Sequence, residues 1–289
     1  MGKINIFMES LTGKKRLIFL GLIILICIIA VGLGIYSQYF YQYSETDPFM
    51  LGIHIGETKT SEEYAELKAN FLNVFTNELH INSESVRVDK IETSQSVVYT
   101  GYTIENEDEA YYNVDLNLPV LNINEEAARN INSEIREEFN DTASRIMRTA
   151  SEYTIYNVSY VAYINENIVS IVIKENSKYG NNPETVRIKT YCYDISAHSE
   201  ISLDNLIELK ETDAETVQAN IDSTIQTAYD NSQAIANEYG TEIVRESPES
   251  EIYDLENAED YFLTDDGYVY IIYDYGEEFE TNEMDIVIF

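Results

Sequence analysis

The chain has 289 residues, of which 52 are acidic and 18 basic, so its formal net charge at pH 7 is −34. A charge this negative argues against nucleic acids and anionic lipid headgroups as ligands, and it leaves cationic proteins, cationic peptides and divalent cations as candidates. A role in keeping the protein soluble would by itself also account for this negative charge. Only Cys27 and Cys192 are present, and Cys27 lies within an apolar run, so the rest of the chain forms no internal disulfide.

An uncharged run follows a short basic segment at the N-terminus. Lys14-Lys15-Arg16 precedes residues 17–36, and no further charged residue occurs before Glu45. Twenty helical residues, each rising about 1.5 Å, span the roughly 30 Å hydrocarbon core of a bilayer. We therefore predict a transmembrane helix at residues 17–39 that anchors the chain in a cell membrane.

Basic residues beside the span predict its orientation. Residues 1–16 carry four basic side chains and one acidic one, whereas the other flank has no basic residue before Lys59. The positive-inside rule then makes residues 1–16 a cytoplasmic tail and 40–59 a juxtamembrane linker outside the membrane, so the protein is single-pass with an extracytoplasmic C-terminal part. A cleaved signal peptide is the alternative, but the apolar run is longer than the roughly 7–15 residues of a signal-peptide core.

Three amphipathic helices are predicted beyond the linker. The first begins at Thr60 in a capping box and carries an apolar face as far as Phe75. The second covers residues 124–150. The third begins after Asp213, a favourable N-cap, and ends at Gly240, a favourable C-terminal cap. Helices with one apolar face are expected to pack on a sheet.

Runs rich in β-branched and aromatic residues predict the strands, which we place at 86–92, 96–104, 110–120, 153–164, 168–174, 186–195, 261–264, 268–275 and 284–289. The short connections 165–167 and Asp265-Asp266-Gly267 predict hairpins. Strands joined by short turns are antiparallel, so we expect an α+β fold with amphipathic helices packed on antiparallel sheets. Two α+β subdomains are predicted, an N-terminal one at 60–180 and a C-terminal one at 181–289.

The known motifs of catalysis and metal binding do not occur in the sequence. His54, His80 and His198 lie in three separate regions, and there is no zinc-binding spacing, CxxC pair, Walker loop, G-x-S-x-G elbow or dinucleotide-binding glycine pattern. The acid clusters at 256–260 and 265–266 do not fit the calcium-loop pattern, and Asp265 and Asp266 are better explained as turn residues. We therefore predict no catalytic, cofactor-binding or metal-binding residue, no cofactor and no enzymatic activity.

The tyrosines and Cys192 are expected to pack in the hydrophobic core. The chain has 24 tyrosines and no tryptophan, which favours packing in strands over a carbohydrate-stacking surface. Cys192 lies between two tyrosines of a predicted strand, so we expect a packed side chain and not a nucleophile.

Several segments of the C-terminal half resemble one known family: Thr190-Tyr191-Cys192-Tyr193-Asp194, Ile201-Ser202-Leu203-Asp204-Asn205-Leu206, the hairpin at 261–268 and the closing Asp285-Ile286-Val287-Ile288. The family is the extracytoplasmic domain of unknown function found in sigma-V-type anti-sigma factors and some membrane-bound peptidoglycan deacetylases. Residues 110–175 resemble the companion domain that usually precedes it. These are turn and core patterns, which are specific for fold and weak for function.

The resemblance implies an outer module that acts by binding. Anti-sigma relatives carry a cytoplasmic sigma-binding segment, for which residues 1–16 are too short, and deacetylase relatives carry a catalytic domain that this sequence lacks. Relatives that sense the envelope bind ligands that include cationic lysozyme. We therefore expect a membrane-anchored extracytoplasmic binding or sensing domain of a bacterial cell envelope, non-enzymatic and recognising a cationic protein. An envelope glycan hydrolase that uses a carboxylate pair is the alternative.

Overall fold

The computed structural model describes four stretches of the chain: residues 70–82, 87–240, 245–274 and 284–289. The predicted tail, transmembrane helix and linker, together with His54 and the start of the first predicted helix, lie outside them. Contacts divide the chain into Met1–Thr58 and Lys59–Phe289, and every described residue belongs to the second unit. None of the helices in these four stretches is long and apolar enough to cross a membrane.

The described residues form ten strands: β1 Glu78–Ile81, β2 Val98–Asp108, β3 Tyr112–Leu121, β4 Thr154–Asn165, β5 Ile168–Tyr179, β6 Thr185–Asp194, β7 Ser199–Glu200, β8 Asp260–Leu263, β9 Val269–Asp274 and β10 Met284–Ile288. The α-helices are α1 Glu126–Ile135, α2 Asp141–Thr149, α3 Leu203–Leu209 and α4 Ala214–Tyr239. A π-helical turn, Arg136–Asn140, joins α1 to α2, and two 3-10 turns, Glu251–Tyr253 and Leu255–Asn257, precede β8. The expected α+β class is confirmed.

Seven strands form one mixed sheet in the order β2-β3-β4-β5-β6-β7, with β1 beside β4. The first part of β4 pairs parallel with β3 and its last part pairs parallel with β1, while the other neighbours are antiparallel. The prediction of antiparallel sheets is therefore wrong for this sheet. The reason is the connection from β3 to β4, because the whole helical segment α1–α2 lies between them and such a crossover allows parallel pairing. The second sheet, β10-β9-β8, is antiparallel as predicted.

Two local predictions near the start of this sheet are wrong. Residues 87–92 form no strand, because the Asn122 side chain bonds the backbone N–H and C=O of Glu92 and the C=O of Ser96. The helix expected as far as Phe75 ends at Phe71. It gives way to a turn and to β1, for which the sequence carried no signal.

The two faces of the seven-stranded sheet pack against different layers. One core lies beneath α1 and α2, and the other lies beneath the small sheet, α3 and α4. Side chains of β4 alternate between them, since Tyr160 and Ala162 belong to the first core and Val161 and Tyr163 to the second. The boundary predicted between residues 180 and 181 falls in the turn between the paired strands β5 and β6. The division into two subdomains stays a prediction.

The two predicted hairpin turns and both predicted ends of the third helix are confirmed. Asn165 pairs with Ile168 across the β4–β5 hairpin, and Leu263 pairs with Val269 across the β8–β9 hairpin. The Asp213 side chain accepts a hydrogen bond of 2.7 Å from the N–H of Thr216 at the start of α4. Gly240 ends this helix in the left-handed conformation, with φ of 66°.

Candidate functional site

The residue types that most often carry chemistry are structural or isolated in the described chain. Burial raises the pKa of the Cys192 thiol to about 12, and its Sγ lies 3.3 Å from the carbonyl oxygen of Tyr261, which confirms a packed cysteine. The ring of His80 stacks on Tyr163 at 5.5 Å, and His198 lies on the surface with Nδ1 3.4 Å from Glu125. Across the described stretches, no three His, Cys, Asp or Glu side chains converge to hold a metal ion.

A groove of about 560 Å³ opens where the two sheets meet. Its walls are the first half of β6, the end of β9, the two 3-10 turns before β8 and the π-helical turn of the α1–α2 segment. Five carboxylates line it: Glu138 of the π-helical turn, Glu251 of the first 3-10 turn, Glu259 and Asp260 at the start of β8, and Asp274 at the end of β9. We call it the acidic groove.

Asp260 joins the small sheet to β6 at the groove. Its Oδ1 accepts hydrogen bonds from the backbone N–H of Thr190 at 2.7 Å and from the Thr190 hydroxyl at 3.1 Å. The Thr190 hydroxyl in turn accepts a bond of 2.9 Å from the N–H of Tyr261. Lys189 Nζ lies 3.6 Å from the same oxygen of Asp260. These contacts fix the Asp260 carboxylate in one orientation.

The other basic side chain of the groove is held between two carboxylates. The Arg187 guanidinium lies 2.7 Å from Glu138 and 2.7 Å from Glu175, and it stacks over the ring of Phe139 at 5.6 Å. Both basic residues of the groove, Arg187 and Lys189, therefore have acidic partners already. The exposed carboxylates of Glu251 and Glu259 make no ion pair within the described residues, so their negative charges can attract a cationic ligand.

The two aspartates of the groove are harder to ionise than ordinary aspartates. Burial is the main reason that the pKa of Asp260 is raised, and Lys189 and the bonds from Thr190 oppose it. Burial likewise raises the pKa of Asp274, repulsion from Asp260 adds to the rise, and Arg187 opposes it. The Asp274 side chain is nevertheless exposed, so water reaches it and reduces the rise in its pKa.

The groove is therefore suited to a cationic group. A positive charge near Asp274 would favour its ionised form, because opposite charges lower the pKa of a carboxyl. The unpaired Glu251 and Glu259 would add attraction without any rearrangement of the bonds that fix Asp260.

Sequence reasoning predicted no site residue and missed this groove. Its carboxylates come from four separate places in the chain, at Glu138, Glu251, Glu259-Asp260 and Asp274, and no sequence pattern links these places. The acidic composition and the acid cluster at 256–260 were the only signals, and neither indicated that these five residues lie together. No protein-family model matches the sequence, and no curated protein matches it either.

Proposed function

We propose that this chain is a single-pass protein of a bacterial cell membrane, with a cytoplasmic N-terminal tail and a non-enzymatic extracytoplasmic domain that binds or senses a cationic protein. The uncharged run at residues 17–36 and the basic residues before it support the anchor and its orientation. The family resemblance of the C-terminal half supports an envelope module that acts by binding.

The acidic groove is the observation that supports a cationic protein as the ligand. It has five carboxylates, and its two basic side chains are already paired with acids. Glu251 and Glu259 stand exposed beside it. A lysine or arginine of a partner protein would enter a negative potential there, and the charge of the whole chain would speed its approach.

A binding isotherm tests this function. The full chain, purified in detergent micelles, is titrated with lysozyme and with a cationic protein of matched size, at low and at near-physiological salt. We expect lysozyme to bind selectively at both salt concentrations. Equal binding of both proteins that disappears with salt would contradict recognition and leave only a general attraction to an acidic surface.

Charge reversal in the groove locates the site. The double variant Glu251→Lys/Glu259→Lys should weaken lysozyme binding by about tenfold or more, since two attractive charges become repulsive. Glu208→Lys/Glu238→Lys is the matched control, because it changes the net charge equally on exposed residues of α3 and α4 outside the groove. If both variants weaken binding equally, the groove is not the site.

A glycan hydrolase is the second candidate, and the pair Asp260 and Asp274 favours it. Both carboxylates line one groove, and their pKa values are raised by burial, as a general acid requires. Hydrolysis of cell-wall glycan by the full chain, abolished in both Asp260→Asn and Asp274→Asn, would establish it. If the chain binds lysozyme but hydrolyses no cell-wall glycan by itself, the binding function remains and the hydrolase is contradicted.

A further inference from the structure

The strand β2 forms an edge of the seven-stranded sheet that no other described strand covers. Within the described residues its only ladder partner is β3, and it is eleven residues long. Alternate backbone N–H and C=O groups of an edge strand point away from its neighbour, so they are available to another extended chain. The edge lies at the far side of the sheet from β6, which lines the acidic groove.

A bulge limits the usable length of this edge. The pairing with β3 shifts register between Thr100 and Tyr102, and it then runs without interruption from Tyr102 to Asp108. Gly101 lies in the shift, and a Cβ atom there would collide with the Val120 side chain. Bulges bend a strand, so the regular part that can accept a partner comprises the seven residues 102–108.

Acidic side chains mark one face of that regular part. Ile104 packs against the core beneath α1 and α2, so Glu105 and Glu107 project from the opposite face. Both glutamates are exposed, and neither forms a hydrogen bond or ion pair in the described part of the chain. Asp115 lies directly opposite Glu105 on β3 and adds a third carboxylate.

The charges decide which partner fits this edge. A second copy of the chain that paired through β2 would bring two pairs of glutamates together, and like charges on adjacent strands are destabilising. A basic strand would instead place lysine or arginine beside Glu105 and Glu107, which is the favourable cross-strand arrangement. Backbone bonds would hold the partner and the glutamates would select it.

We propose that β2 binds an extended basic segment of another protein by strand addition along residues 102–108. Glu105 and Glu107 are the residues that select basic side chains. This interaction is separate from ligand binding in the acidic groove and does not require it.

A peptide titration tests strand addition. The full chain in detergent micelles is titrated with a short peptide of alternating lysine and valine, with a glutamate–valine twin, and with the lysine–valine peptide methylated on every second backbone nitrogen. We expect only the unmodified basic peptide to bind at near-physiological salt. Hydrogen exchange should show new protection of amides in β2, because their N–H groups gain partners.

Two charge variants separate this edge from the rest of the acidic surface. Glu105→Lys/Glu107→Lys should weaken binding of the basic peptide by about tenfold or more, since two favourable cross-strand pairs become repulsive. The control variant Glu208→Lys/Glu238→Lys, with the same change of net charge on exposed residues outside both β2 and the acidic groove, should alter it by less than about twofold. Equal loss in the two variants, undiminished binding of the methylated peptide, or unchanged exchange in β2 would each overturn the proposal.

Discussion

Single polar side chains hold the two sheets together. Ser170 is fully buried, and its hydroxyl accepts a hydrogen bond of 3.1 Å from the N–H of Leu263 on the small sheet. Asn165, also buried, donates from Nδ2 to the carbonyl oxygens of Thr264 and Asp265 at 3.1 and 3.0 Å. Buried polar groups need such partners, so each of these bonds fixes the small sheet in register with the large one.

Removal of the Ser170 hydroxyl should therefore destabilise the fold. In Ser170→Ala the N–H of Leu263 stays buried without its partner, which costs about 1–3 kcal/mol. Urea unfolding followed by circular dichroism measures the loss. Ser223→Ala, on the exposed side of α4, is the control and should change stability little. Equal stability of Ser170→Ala and the parent chain would show that this bond does not hold the sheets together.

The carboxyl of Asp274 should make stability depend on pH. Because its pKa in the folded state is raised above the unfolded value, its contribution favours folding at low pH and is lost as pH rises through the folded pKa. Asp274→Asn should thus be more stable than the parent above neutral pH, by less than about 1 kcal/mol because the side chain is exposed.

Urea midpoints of the two proteins across the acid-to-alkaline range check this prediction. The difference should disappear well below the ordinary aspartate pKa of about 3.9, where both states are protonated. A difference that is the same at every pH would mean that a lost contact, and not ionisation, is responsible.

At the scale of elements, local hydrogen bonding and backbone conformation decided where α4 begins and ends. The N-cap of α4 at Asp213 and its C-terminal cap at Gly240 both lie where the sequence predicted them. The helix between them spans 26 residues with only part of one face buried, so its ends contribute to its stability alongside packing.

Loss of the Asp213 cap should destabilise α4 in a pH-dependent way. Hydrogen bonds from Thr216 lower the pKa of Asp213, so the ionised cap stabilises the fold above the unfolded pKa and is lost as pH falls through the folded pKa. Asp213→Ala should lower the urea midpoint at neutral pH and have less effect in acid. Glu238→Ala, at the other end of α4, is the control. A lowered midpoint that persists unchanged in acid would argue against the cap.

At the scale of the whole molecule, charge and layering act together. The chain after residue 16 carries fourteen basic and fifty-one acidic residues, yet the described part packs two cores on opposite faces of one sheet. Among the described residues the acids lie mainly at the surface, and Asp285 is the only one that is buried; it is paired with Arg245 and accepts a hydrogen bond from Tyr253. The proposed anchor would hold this acidic domain at a membrane surface.

Deletion of residues 17–39 should release the protein from the membrane. The full chain is expected to be in the membrane fraction and to resist extraction by alkaline carbonate. The reason is that a helix of about 20 apolar residues spans the hydrocarbon core of the bilayer. The shortened chain should be soluble and should retain the circular dichroism of the folded domain. Recovery of the full chain in the soluble fraction would contradict the anchor.

Local sequence determined much of the secondary structure. The hairpins at 165–167 and 265–267 and the caps of α4 could be predicted because turn and cap residues bond to backbone groups only a few positions away. The helical segment at 124–150 could be predicted because apolar residues recur there at helical spacing. The packed state of Cys192 followed from its neighbours in a strand. Composition gave the acidic character of the surface but not the location of any site.

Only the tertiary structure decided the mixed sheet, the acidic groove and the edge at β2. The parallel pairing of β1 and β3 with β4, and the meeting of Glu138 with Asp260 and Asp274, join residues that are distant in sequence. Such contacts depend on how complete layers pack, and no short stretch of sequence carries the information. The sequence by itself determined the elements that short-range bonds specify and the charge of their surface, while packing of those elements determined which charges stand together.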